Sequence, residues 1–197
     1  MRKLRDRFES SFICLIHNLL GINLTSEIHV VDGTALTGRL IASGIAKPED
    51  IEGCAPDEIA MLENRFGPLP HSYKIILATI GHRAGHLVDD HAHWIYADQL
   101  PRINKQALNV LDEYAEGEFD PDIPESAMFI GAHYGANPVF ILADGGKDSP
   151  VWQLDYSTGR VSQVHTSVWD WIETYIVAAE KALADGVKVR NARVWIP

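Results

Sequence analysis

The segment 82–93, HRAGHLVDDHAH, concentrates potential ligand chemistry in twelve residues. His82 and His86 are four apart, as two ligands on one helical face would be. His91 and His93 are two apart, as on one face of a strand. Asp89 and Asp90 lie between the pairs. Imidazole nitrogens combined with carboxylates bind zinc or a harder first-row ion. The zincin arrangement, however, needs a Glu directly after its first His to act as base, and Arg83 stands there. Gly81 and Gly85 also oppose a stable helix. The expectation is a polar loop with no cofactor, and His82, His86, His91 and His93 are the alternative ligand set of a metal-dependent enzyme.

Other chemistries are poorly supplied. No G-x-S-x-G marks a nucleophile elbow. His133, Asp144 and Ser149 offer a Ser/His/Asp triple of the kind any β-rich domain contains. Gly131 and Gly135 are not followed by the helix and Lys of a phosphate-binding loop. The chain is therefore expected not to be an enzyme.

Charge is more informative. The 197 residues carry a formal net charge of −10. Residues 48–155 hold 19 Asp/Glu against 6 Lys/Arg, a net of −13, while both ends are basic. An acidic body disfavours nucleic acid, whose phosphates demand a basic footprint, and favours encounter with a basic partner. Asp112, Glu113, Glu116, Glu118, Asp120, Asp122 and Glu125 form an acidic segment with no basic residue among them. The hydrophobic fraction of 46% and charged fraction of 22% are those of a globular chain. No apolar run reaches the roughly 18 residues of a membrane span. Cys14 and Cys54 lack CxxC spacing, and their number excludes a structural zinc site built on cysteine. The absence of a disulfide framework points to a reducing compartment.

The elements that position these residues follow from spacing. Leu4, Phe8, Phe12, Leu15, Ile16 and Leu19 recur at helical intervals, and Asp6, Glu9 and His17 argue against a signal peptide. This amphipathic helix is expected to pack on the body, with membrane-surface binding through its basic residues as the alternative. Residues 27–41 read as a hairpin turning at Asp32-Gly33. Pro56 opens a helix that Gly67 stops, Leu69-Pro70 forces a corner, and a second helix runs to Gly81. Residues 93–96 suggest a strand, and Asp98 an N-cap for a helix over about 99–116. MFIGAH, PVFILAD, PVWQLD and VSQVHTS read as four successive strands, with Trp152 and Leu154 as the buried pair of the third. Ser167 caps a last helix on which Trp169 and Trp171 cannot both face inward. Gly186 ends it, and residues 187–197 can add a strand. Helices, consecutive strands and a helix make an α+β fold with a largely antiparallel sheet flanked by helices.

From Pro56 onward the ordered pattern resembles the SUKH superfamily (Smi/Knr-like), which includes bacterial toxin-immunity proteins and fungal cell-wall-synthesis regulators. Its opening signature is met by Glu58-Ile59, Leu62-Glu63, Phe66-Gly67, Leu69-Pro70, Tyr73-Lys74, Leu77 and Gly81. Its closing signature is met by Phe129-Ile130-Gly131, Val139 to Asp144, Pro150-Val151-Trp152 and Ser167, Trp169, Trp171-Ile172. The match covers about residues 55–182. It does not supply residues 1–50, taken as an N-terminal extension of amphipathic helix plus hairpin, and leaves residues 51–197 as the SUKH-like domain.

The resemblance implies a binding role and supplies no active site. With the acidic body it suggests a cytoplasmic immunity protein that binds and blocks a cognate basic protein toxin, a nuclease for instance. Asp112, Glu113, Glu116, Glu118, Asp120, Asp122, Asp144, Asp148 and Trp169 are the expected partner contacts. The alternative is a regulatory protein-binding or scaffold module without a toxin.

Overall fold

Asp32 accepts a hydrogen bond from the Ala35 N–H at 2.8 Å and so caps a helix, α1 (Gly33–Ala42). In the computed structural model, which describes residues 32–89, 92–115 and 121–187, this replaces the second arm of the expected hairpin. Leu36 and Leu40, both fully buried, would share a face in a strand as in a helix, so the deciding feature is the Asp32 side chain, which satisfies the Ala35 N–H and starts the helix. Asp-Gly served as cap and first helical residue here, and not as a turn. Residues 27–31 of that reading, the N-terminal helix and the terminal strand beyond Val187 lie outside the described residues.

After α1, Ile45 enters the core and a 3₁₀ turn (Pro48–Asp50) leads into β1 (Ile51–Glu52). Helices α2 (Pro56–Phe66) and α3 (His71–Ile80) form the expected pair. Gly67 between them has φ +102°, a left-handed conformation that stops α2. Glu63 fixes the corner, accepting from the Leu69 N–H at 3.1 Å and from Lys74 Nζ at 3.0 Å. Leu69 itself is fully buried. Next, β2 (Arg83–Ala84) returns to pair antiparallel with β1.

A five-stranded antiparallel sheet follows: β3 (His93–Trp94), β4 (Ala127–His133), β5 (Ala136–Leu142), β6 (Val151–Asp155) and β7 (Arg160–His165), adjacent in chain order. Helix α4 (Leu100–Ala115) is inserted between β3 and β4 and packs on β4. Asp98 stands two residues before its start. It lies in a 3₁₀ turn (Ala97–Gln99), and the Gln99 side-chain oxygen accepts from the Ile95 and Tyr96 N–H groups at 2.8 and 3.0 Å. The longer Gln side chain reaches back where Asp could not. Buried Asn104 of α4 donates to the carbonyls of Leu100 and Phe129 and accepts from the Phe129 N–H. The β4–β5 hairpin turns through Tyr134 and Gly135, both at positive φ, as a tight hairpin requires.

On β6, Val151 and Leu154 are fully buried while Trp152 is half-buried. Trp152 packs against the core beside Leu154 as expected but is only half-buried, and Val151 is buried as well, where the register slips past Val164 of β7 between the Val151–His165 and Trp152–Gln163 pairs. Helix α5 (Val168–Ala184) closes the fold, capped by Ser167, whose hydroxyl accepts from the Asp170 N–H at 3.0 Å. Trp171 is buried against the backbone of Gly131, where a Cβ would stand 3.0 Å from the indole. Leu36, Leu40, Ile45, Leu77, Phe140 and Ile172 belong to one continuous core.

Candidate functional site

Among the described residues, the members of the histidine loop are not brought together as one cluster. His82 and His93 belong to different parts of the fold, preceding β2 and opening β3. His91 and Asp90 lie outside the described residues. The His86 N–H bonds to the Ile45 carbonyl at 2.8 Å, and its ring Nδ1 is buried with no hydrogen-bond partner among the described residues. His93 stacks on His133 at 4.7 Å and meets Tyr175 edge-on at 5.5 Å. Burial first, and then the nearby His133, push the His93 imidazole down to about 4, against a smaller opposing pull from Asp89. Arg83 turns to the Glu49 carbonyl, 2.8 Å away, and to Glu52 at 3.6 Å.

His82 instead joins two residues that sequence spacing did not connect with it. Its Nε2 stands 3.1 Å from each carboxylate oxygen of Glu58, and Cys54 lies beside them. One potential ligand atom from each of Cys54, Glu58 and His82 falls within 4.8 Å of the others. The β1–β2 pairing brings Cys54 and His82 together, and the first turn of α2 delivers Glu58. Each is held by backbone: the Cys54 N–H donates to the Leu77 carbonyl at 2.8 Å and the His82 N–H to the Glu52 carbonyl at 2.9 Å. Gly53 and Gly81 make this approach possible, since a Cβ on Gly53 would strike the Ala78 carbonyl and one on Gly81 would strike the Cys54 sulfur. Glu58 also accepts from the Ala55 N–H at 2.7 Å. The hydrogen bond from His82, followed by that from Ala55, holds the Glu58 carboxyl below the usual range. Burial, then the charges of Glu58 and Asp98, push the buried Cys54 thiol up to about 11.

The expected partner contacts divide into two kinds. Asp112 and Glu113 are exposed on α4 and Asp122 is exposed in the loop before β4. The same two segments supply an apolar groove of about 260 Å³ lined by Leu108, Leu111, Ile123, Glu125 and Phe129, of which Glu125 is the one carboxylate. Leu108 is 56% exposed there, one turn before Asp112 on the same helix. Glu116, Glu118 and Asp120 lie outside the described residues. Asp144 is exposed in a turn and accepts from the Gly146 N–H at 2.9 Å. Asp148 is committed to the fold: its Oδ1 accepts from the Ser72 hydroxyl at 2.6 Å, the Ser149 N–H at 2.8 Å and the Val168 N–H at 3.0 Å. Trp169 is half-buried against the core, and Trp171 is the inward member of the pair.

His133 and Ser149 are kept apart. His133 sits at the turn of the β4–β5 hairpin, whereas the Ser149 hydroxyl accepts from the Leu142 N–H at the other end of β5. About six residues of strand, roughly 20 Å, lie between, so the triple is not a triad. Compared with known proteins, the chain matches no protein-family model and no curated protein.

Proposed function

We propose that this chain is a protein-binding module of the immunity type, acting in the cytoplasm to occlude a basic protein toxin without catalysis of its own. The observation that carries the reading is the groove at Leu108, Leu111, Ile123 and Phe129 with the Glu125 carboxylate in its lining. An apolar centre supplies packed contact, and the surrounding charges steer and orient a basic partner. Asp112, Asp122 and Glu125 are the described carboxylates in position to do so. The acidic balance of residues 48–155 supports the same choice of partner. So does the order of helix, Leu-Pro corner, helix, antiparallel strands and Ser-capped helix on which the SUKH resemblance rests. Asp148 is removed from the proposed contacts, since its carboxylate is occupied within the fold.

The test is co-expression with the product of the neighbouring gene, followed by titration of the purified pair. A complex is expected, and Leu108→Asp is expected to weaken it by at least about tenfold, the scale of an interface anchor. Reversing Asp112, Asp122 and Glu125 to Lys is expected to slow association and flatten its salt dependence. A complex indifferent to all four substitutions would discard this surface. An isolated gene whose product binds other proteins through the groove would replace immunity with regulation.

A further inference from the structure

We propose that Cys54, Glu58 and His82 form a mononuclear site for a divalent transition-metal ion of the zinc class, with its fourth position open at the protein surface. The inference stands apart from the immunity reading and needs no partner.

The geometry is close to what such an ion requires. Metal–ligand distances of about 2.0–2.3 Å set tetrahedral ligand atoms roughly 3.3–3.8 Å apart. Here the three ligand atoms lie within 4.8 Å of one another, and His82 Nε2 is already 3.1 Å from Glu58. The remaining adjustment falls to side-chain torsions, because the Cys54 and His82 backbones are pinned by their bonds to Leu77 and Glu52. One sulfur, one nitrogen and one carboxylate oxygen select a borderline ion and disfavour magnesium or calcium, which want oxygen alone. With a single cysteine this is not the closed structural site that the cysteine number excludes. Three protein ligands and an open position are the pattern of an accessible zinc site.

Charge and access agree. A thiolate and a carboxylate together neutralise a dication. Binding follows Cys54–SH + M²⁺ → Cys54–S–M⁺ + H⁺, with no change of oxidation state. Glu58 and Asp98 are the acids whose charges act on the sulfur. His82 and Tyr73 are the other titratable groups about the sulfur. Cys54 also lines a surface groove of about 280 Å³, with Pro56, Ile59 and Lys74. Glu58 is 39% exposed and His82 23%, so the ion would sit at the rim.

The full chain, reduced and stripped of metal by chelation, is titrated with Co²⁺ and then with Zn²⁺. One equivalent of Co²⁺ is expected to give a thiolate-to-cobalt charge-transfer band in the near ultraviolet. Zn²⁺ should abolish the band and raise the melting temperature. Cys54→Ser should remove the band. His82→Gln and Glu58→Gln should each weaken Zn²⁺ binding by at least about tenfold, the low end of what an outer-shell loss costs. Glu58→Gln retains an acceptor for the Ala55 N–H, so the helix start survives in that variant. No band in the unaltered chain overturns the site. A band that persists in Cys54→Ser overturns it too, reporting Cys14 instead. Zn²⁺ affinity unchanged in both Gln variants does the same.

Discussion

Arg39 and Glu173 are 134 positions apart in sequence, yet one guanidinium nitrogen of Arg39 meets both carboxylate oxygens of Glu173, at 2.7 and 2.6 Å. The same side chain reaches Glu180 through Nε and Nη2, each at 3.1 Å. Two turns of α5 separate the two acids, so a single planar cation clamps α1 along that helix. Hydrogen bonds to Glu180, and after burial's opposing effect those to Glu173, hold the guanidinium above its ordinary pKa.

The clamp is expected to stabilise the fold modestly, because the side chains of Glu173 and Glu180 remain 37% and 34% exposed. Arg39→Met should lower stability by about 1–2 kcal/mol, two partly screened pairs at the upper end of the surface range. Arg39→Lys should recover less than half, since an ammonium lacks the planar fork that engages both acids. Urea unfolding measures both, and a midpoint unmoved by Arg39→Met would show that the clamp contributes nothing.

Asp148 is expected to report on folding and not on binding. Its Oδ1 ties the start of α3, through Ser72, to the start of α5, through the Val168 N–H. Asp148→Ala strips three donors of a charged acceptor and should cost about 3 kcal/mol. Partner affinity, measured below the lowered melting temperature, should be unchanged. Retained stability with lost affinity would return this residue to the interface.

His93 makes stability depend on pH over a defined window. Its unfolded value is the ordinary 6.5, and burial lowers the folded value to about 4. The unfolded chain therefore binds the proton more readily, and protonation favours unfolding. The contribution is complete above pH 6.5 and is lost progressively as pH falls toward 4. In His93→Gln the stability profile should be flatter across that interval. Melting temperatures recorded against pH for both proteins decide it, and parallel curves would refute the assignment.

Strong local signals carried much of the fold. Pro56, Gly67, Leu69-Pro70, Ser167 and Gly186 act within a few residues of themselves, so their helices were readable. Asp32-Gly33 is ambiguous because the same dipeptide serves a hairpin turn or a helix start, and the Asp32 hydrogen bond to the Ala35 N–H that separates them leaves no mark in the spacing of Leu36 and Leu40. The burial of Val151 was not legible because alternation along β6 says nothing of the extra residue, Val164, in its neighbour β7. Cys54, Glu58 and His82 could not be grouped from spacing. Two-residue strands leave no periodic trace, and it is the β1–β2 pairing that folds position 82 onto position 54. The acidic candidates were legible as a composition, but their apolar neighbours Leu108 and Ile123 became a groove only once α4 lay beside the loop before β4.

Asn104 gives the sheet two unlike margins. β3 pairs with β4 only at Ala132 and His133, leaving Phe129 beyond its reach. The Asn104 amide satisfies both the N–H and the carbonyl of Phe129, standing in for one residue of a missing strand. That side of the sheet thus offers no template at Phe129 for another chain. Among the described residues β7 forms the opposite margin. One buried amide thus does at the Phe129 margin, for one residue, what the backbone of a sixth strand would do.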